Sequence, residues 1–273
     1  MGLEDCIQIH QLSDTGLVRT HNEDSTAFDA RLGLAILADG MGGYRGGEVA
    51  SAVAVTCVVQ HVSKNLAQID NGGIDQDSGL RDESLLISDA VKLANDEIFT
   101  MARDNPEYQG MGTTAVSLLF YDNQVSIAHV GDSRAYRLRS GNLEQLTNDH
   151  TVRQELIDKG YYTPEEADRT VSRNLVTRAV GIDVTVEVDL CEEMVLPGDI
   201  YLLCSDGLND MIGDEAISEL LKTDDDLETI AGALVNRANN MGGLDNITVL
   251  LVRILDSFSA NKRWSDRIVD WFN

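Results

Sequence analysis

The sequence predicts an α+β fold in which helices and strands separate into layers. Three observations carry that expectation. Strand-like runs and helical patterns follow one another as strands, two helices, strands, two helices, strand. That order is not the strict β-α alternation of a doubly wound parallel sheet. The chain has 273 residues, 43% hydrophobic and 25% charged, an ordinary globular composition long enough to bury a core without disulfides.

Each element has its own signal. The alternating stretch Ile7 to Leu12 reads as a strand, and Leu32 to Ala38 as a short buried strand entering a turn at Asp39-Gly40. Glu48 to Val62 is apolar nearly all round, the pattern of a helix buried on more than one side. Residues 70–80 are a polar loop. A second helix shows one apolar stripe through Leu86, Ala90, Leu93, Ala94 and Ile98. Thr113 to Arg139 is strand-like, with turns at Asp122-Asn123 and Gly131-Asp132. Residues 147–172 form a polar insert with short helical patterns at Gln154 to Asp158 and Pro164 to Ala167, a length more often functional than idle. Strands resume at Val184 to Leu190 and Ile200 to Cys204. Helices follow at Asp214 to Leu221 and Leu227 to Asn240, and a last strand at Thr248 to Ile254.

Charge and cysteines narrow the function classes. Lys and Arg number 21 against 46 Asp and Glu, a net charge of −25. A nucleic-acid partner needs a basic surface to meet phosphates, and an anionic membrane needs the same, so neither is expected. Cys6, Cys57, Cys191 and Cys204 are widely spaced with no C-x-x-C; Cys57 and Cys204 read as small core residues. The acidic start Met1 to Cys6 has no signal-peptide pattern, and no apolar stretch approaches the ~18 residues of a membrane helix. The expectation is a soluble cytoplasmic protein, in which the Asn246-Ile247-Thr248 sequon is a chance match.

The chemistry lies in aspartates at strand ends. Asp39 closes the run Leu34 to Ala38, Asp132 follows Ser126 to Val130, Asp206 follows Ile200 to Cys204, and Asp245 precedes the last strand. Any one of them is an ordinary turn aspartate. Together they gather carboxylates at one sheet end, a cluster that repels itself unless cations neutralise it. The five histidines (His10, His21, His61, His129 and His150) form no metal-binding pair, so oxygen ligands and Mg²⁺ or Mn²⁺ are expected rather than zinc. Two such ions can generate a nucleophile from water for in-line attack on phosphorus. Other chemistries fail on spacing: there is no C-x₅-R, no G-x-S-x-G and no G-K-[ST]. The glycine cluster Gly40 to Gly47 misses G-x-G-x-x-G because position 45 is Arg.

Six segments, in order, resemble the metal-dependent PPM/PP2C-type Ser/Thr protein phosphatases, in their bacterial branch. They are Gly16 to Asp24, Leu37 to Gly43, Met111 to Thr114, Val130 to Tyr136, Leu203 to Leu208 and Leu244 to Val249. The resemblance implies an α-β-β-α sandwich: two antiparallel sheets face to face, each flanked by a helix pair. It implies two tight Mn²⁺ or Mg²⁺ ions and a third, weaker one. Asp39 matches the residue that bridges the two metals, and the Gly40 carbonyl a ligand of the first. Asp206 and Asp245 match the ligands of the second, and Asp24 an acid that holds the first through water. Asp132 with Asp206 matches the third site. Arg19 matches the arginine that grips substrate phosphate, a task suited to a planar guanidinium fork.

The resemblance further implies a monomer acting on phosphorylated Ser/Thr proteins, a Ser/Thr kinase or its substrates among them. Two alternatives stand beside it: a phosphatase dedicated to one regulator in a partner switch, and a non-catalytic pseudophosphatase. The latter is usually marked by a lost metal aspartate, and none is lost. The family's histidine proton donors are absent, since Met41 and Tyr44 stand at their positions; His150, at the edge of the insert, is a candidate replacement. Residues 1–254 are expected to form the phosphatase domain, with 147–172 as its variable flap. In the tail, residues 255–273, Trp264, Ile268, Val269, Trp271 and Phe272 are expected to pack back on the domain as one apolar face.

Overall fold

The computed structural model of the chain describes residues 2–43, 45–69, 73–172 and 175–259. Strands β1 (Ile7–Asp14), β2 (Asp24–Asp29) and β3 (Leu34–Met41) lead into helices α1 (Gly46–Asn65) and α2 (Asp82–Asp104). Strands β4 (Gly112–Thr113), β5 (Ala115–Tyr121), β6 (Gln124–Val130), β7 (Arg134–Arg139) and β8 (Asn142–Gln145) follow. After the short helices α3 (Val152–Asp158) and α4 (Pro164–Thr170) come β9 (Asp189–Met194) and β10 (Ile200–Cys204). Helices α5 (Asp206–Asn209), α6 (Asp214–Leu221) and α7 (Leu227–Asn240) precede β11 (Ile247–Ile254).

The strands form two antiparallel sheets. One has the order β1-β11-β10-β7-β8; the other runs β2-β3-β5-β6-β9, with β4 beside the end of β3. Side chains alternate across each strand, and both faces are covered. In β3, Leu34, Ile36 and Ala38 face helices α1 and α2, while Ala35 and Leu37 face the opposite sheet. In β10, Leu202 and Cys204 face the α6–α7 layer, and Tyr201 and Leu203 face the sandwich interior. Burial on both faces explains why these strands read as unbroken apolar runs instead of alternating ones. The layers are therefore helix pair, sheet, sheet, helix pair, as expected. Helix α1 buries Ala50, Ala54, Val58 and Val62 at a four-residue spacing, against β3 and α2.

The differences from expectation lie at edges and ends. β2 and β8 have no clear sequence signal, because each is a sheet edge with polar residues along it. β3 does not end at Ala38. Asp39 pairs with Asp24, and Gly40 and Met41 pair with Thr113 and Gly112, so Asp39-Gly40 is strand rather than turn. The strand expected at Val184 to Leu190 starts instead at Asp189, opposite His129. Beyond His129 the partner strand has nearly ended; Val186 and Val188 cover the helix-side core without pairing. Turns close where glycine-like backbone is tolerated: Asp122 (φ 41°) and Asn123 (φ 56°) form the two-residue β5–β6 hairpin. Trp264, Ile268, Val269, Trp271 and Phe272 lie outside the described residues, so the expected apolar face of the tail does too.

Candidate metal centre

Both sheets present carboxylates at one end of the sandwich. Asp24 and Asp39 face each other in register on β2 and β3. Asp206 opens α5 directly after β10, Asp245 lies two residues before β11, and Asp132 sits in the β6–β7 connection. Asp39, Asp132, Asp206 and Asp245 line one cleft of about 290 Å³, together with Arg19 and the backbone around Gly40. Asp24 stands behind Asp39, outside the lining.

The recurring motif residues hold these carboxylates in place. The Asp39 amide donates to Thr114 Oγ1 (2.9 Å), and its carbonyl accepts from the Thr114 amide and from Thr113 Oγ1, both at 2.8 Å. Thr114 Oγ1 is in turn 2.7 Å from Ser133 Oγ, so the Thr-Thr pair links β3 to the Asp132 turn. Gly40 must be glycine: a Cβ there would stand 2.1 Å from the Gly47 carbonyl at the start of α1. Ser205 Oγ donates to Asp24 Oδ2 across 2.8 Å, tying the two sheets together. Asn246 holds the loop that carries Arg19. Its side chain donates to the carbonyls of Thr15 (3.0 Å) and His21 (2.9 Å) and accepts from the Glu23 amide (2.8 Å).

The electrostatics call for cations. Burial, and then its carboxylate neighbours, push the Asp39 and Asp206 carboxyls well above their ordinary range. Burial likewise raises Asp24 and Asp132 to about 6 each. Asp24 Oδ1 is buried with no hydrogen-bond partner. A buried, orphaned carboxylate oxygen beside other carboxylates fits a hard cation, which takes oxygen ligands. Among the described residues, no three His, Cys, Asp or Glu side chains converge tightly enough to hold an ion unaided. Ions here would need carbonyl oxygen and water to complete their shells, as Mg²⁺ commonly does. Arg19 is the cation at the rim, its Nη2 2.7 Å from Asp245 Oδ2.

The structure brings Arg19, Asp39, Gly40, Asp132, Asp206 and Asp245 to one cleft and puts Asp24 behind it. It also adds residues that the sequence reading passed over. Glu23, Thr114, Val176 and Asn246 line the cleft too, and burial raises the Glu23 carboxyl. Glu23, Thr114 and Asn246 lie inside the motifs; Val176 lies just past the insert and carries no sequence signal, because that segment reaches the cleft only in three dimensions. Met41 lines the cleft as well, whereas Tyr44 lies outside the described residues.

His150 is a correction. It is 7% exposed and absent from the lining, and both ring nitrogens are engaged, Nδ1 by the Gly131 amide (3.0 Å) and Nε2 by Asp189 (3.2 Å). It cannot deliver a proton to a leaving group in the cleft. A second polar pocket, of about 170 Å³, adjoins the first and shares Asp132 and Asp206 with it; Asp149, Arg153, Asp168 and Asp210 contribute further charge.

Known proteins resemble the chain over most of its length. The family model for protein phosphatase 2C matches residues 18–244. The Ser/Thr protein phosphatase PstP of Mycobacterium tuberculosis is 41% identical over 244 residues, 89% of this chain and 44% of that protein. The chain thus spans less than half the length of that relative. The protein phosphatase PhpP of Streptococcus pneumoniae is 38% identical over 249 residues, 90% of this chain and 97% of that protein. Among solved structures, the catalytic domain of PstP in complex with two manganese ions superposes with a TM-score of 0.79 at 38% identity, covering 92% of this chain and 99% of that one. The Ser/Thr phosphatase of S. agalactiae gives a TM-score of 0.80 at 33% identity, covering 91% and 99%.

Proposed function

This chain belongs to the protein phosphatase 2C family, and we propose that it is a metal-dependent protein phosphatase that hydrolyses phosphoserine and phosphothreonine in proteins. The observation that carries the reading is the gathering of Asp39, Asp132, Asp206 and Asp245 from separate segments into one cleft, with Arg19 at its mouth. Asp39 and the Gly40 carbonyl would hold the first Mn²⁺ or Mg²⁺, with Asp24 reaching it through water. Asp39, Asp206 and Asp245 would hold the second, and Asp132 with Asp206 a third. When bound, the ions would offset the carboxylate charge and lower the pKa of water, supplying hydroxide as the nucleophile for phosphorus.

The protein's own groups do the rest. Arg19, exposed at the rim, offers its fork to the phosphate oxygens and orients the ester. Thr113 and Thr114 fix the peptide of Asp39, so that its carboxylate is positioned before substrate arrives. Among the described residues no histidine lines the cleft, so the proton for the departing Ser or Thr oxygen would come from another group or from water. The substrate class is phosphorylated proteins, which sets the enzyme against a Ser/Thr kinase. Retention of every carboxylate in the set speaks for a working enzyme and against a binding module.

The deciding measurement is hydrolysis of a phosphothreonine peptide with Mn²⁺, then with EDTA. Turnover that depends on Mn²⁺ is expected; its absence from folded, Mn²⁺-loaded protein overturns the reading.

A further inference from the structure

A buried histidine stands beside the Asp132 turn without reaching the cleft. The Gly131 peptide spends both of its polar atoms on it: the Gly131 amide donates to His150 Nδ1 (3.0 Å), and the Gly131 carbonyl accepts from the His150 amide (2.8 Å). Gly131 directly precedes Asp132. Its backbone is left-handed (φ 110°), and a Cβ there would lie 2.6 Å from Thr114 Cγ2, so the turn has little room to relax.

We propose that His150 is a positioning residue, which clamps the Gly131-Asp132 turn to the insert so that the insert and the Asp132 carboxylate move as one unit. This rests on the reading of Asp132 as a cation ligand.

The rest of the contact network supports the clamp. The Gly131 amide aimed at Nδ1 makes that nitrogen the acceptor and leaves the ring proton on Nε2, which lies 3.2 Å from Asp189 Oδ2 on β9 and 3.1 Å from Arg178 Nη1. That strand-borne carboxylate also accepts from Arg178, fixing the ring from its far side. The ring packs on His129, with centroids 4.7 Å apart, and His129 is itself buried at 2% exposure. Protonation on Nδ1 would point a second donor at the Gly131 amide. Burial opposes that by pushing the His150 pKa down.

On the other side, His150, at the start of the insert, holds the segment just past its end. Its carbonyl accepts from the Thr177 amide (2.8 Å), and Thr177 follows Val176, which lines the cleft. Thr151, its neighbour, caps α3. One residue at the start of the insert therefore connects the cleft-lining segment just past the insert to the turn that carries Asp132. Such outer supports of metal ligands typically tune affinity by about 10–100-fold.

Two conservative substitutions separate the links. Asn places an acceptor near the position of Nδ1 and can keep the Gly131 contact; Gln reaches the Nε2 position and loses it. His150→Gln is expected to weaken the weakest Mn²⁺ equivalent about tenfold or more in calorimetry, with the tighter equivalents unchanged. It should also lower kcat on phosphopeptide more than on p-nitrophenyl phosphate. His150→Asn is expected to keep the weak equivalent. In the wild-type protein, nitrogen NMR is expected to mark the Nε2–H tautomer of His150, and the Gly131 amide to exchange slowly.

An Nδ1–H tautomer, a fast-exchanging Gly131 amide, or a folded His150→Gln protein with unchanged weak binding each overturns the clamp. So does loss of weak binding in His150→Asn. If Asp132→Ala itself retains every Mn²⁺ equivalent, the failure lies in the reading of Asp132 instead.

Discussion

The Arg19 guanidinium and the Asp245 carboxylate meet at 2.7 Å, joining the group we propose for phosphate to one we propose for metal. The arginine side chain is 48% exposed, so the pair is well screened and contributes at most ~1 kcal/mol. Arg19→Ala is therefore expected to act mainly on substrate. Loss of a charged hydrogen bond costs ~1.5–3 kcal/mol, or roughly 10–150-fold in kcat/KM. Mn²⁺ affinity should change by less than about fivefold, and toward tighter binding, because a competing cation is gone. Calorimetry showing strongly weakened Mn²⁺ binding would place Arg19 elsewhere.

Asp39→Asn should lower kcat by at least about 10²–10³-fold, since one preorganised charged group is lost from the centre. The metal-free variant should melt higher than the metal-free wild type near neutral pH. Its amide removes a carboxylate whose ionised form is opposed by burial and by Asp24, Asp206, Asp132 and Asp245. Wild-type turnover by a folded Asp39→Asn protein contradicts the assignment.

The raised carboxyls give the metal-free protein a defined pH response. Asp24 and Asp132 titrate at about 6 in the fold, against about 3.9 in an unfolded chain. Between those values the folded state binds more protons, so their contribution to stability falls as pH rises through the window and stays unfavourable above it. Cations relieve this repulsion and compete with protons. The rise in Tm on adding Mn²⁺ should thus be larger near about pH 7.5 than near about pH 5. An equal rise at both would show that the cluster does not take up the metal.

Asp132 lines both the cleft and the adjoining polar pocket. Asp132→Ala is expected to keep the tight Mn²⁺ equivalents and lose the weak one. It should reduce kcat on phosphopeptide, whose alkoxide leaving group needs a proton, more than on p-nitrophenyl phosphate. Loss of all Mn²⁺ binding would make Asp132 part of the main centre.

Phe258 sets where the tail can be cut. Its ring meets Phe120 edge-on at 6.4 Å, and its amide donates to Asn123 Oδ1 at 2.7 Å. Removing residues 260–273 should leave turnover of a small substrate unchanged, because the proposed metal and phosphate groups all precede them. Removing Phe258 as well should lower Tm by about 2–6 °C. Activity lost with residues 260–273 in a still-folded protein would give the tail a role at the site.

Much of this was legible in the sequence by itself. Helices α6 and α7 and strand β10 coincide with the segments read from periodicity, since local apolar spacing is enough to specify them once a layer exists to bury them. The ordered motifs named the carboxylates and Arg19 that the fold brings together at the cleft, because the chemistry restricts residue type at each position. Tertiary structure alone decided the rest. The edge strands β2 and β8 carry no periodic signal, because only a neighbouring strand makes them strands. Asp39 and Gly40 looked like a turn until β2 and β4 paired with them. Asn246 looked like half of a chance sequon, and its buried side chain proves to hold the Arg19 loop by contacts to residues more than 220 positions away. His150 looked like a candidate proton donor and is instead enclosed by Gly131, His129 and Asp189. Spacing reports what a residue can bond to nearby; which distant groups close around it depends on how the two sheets meet.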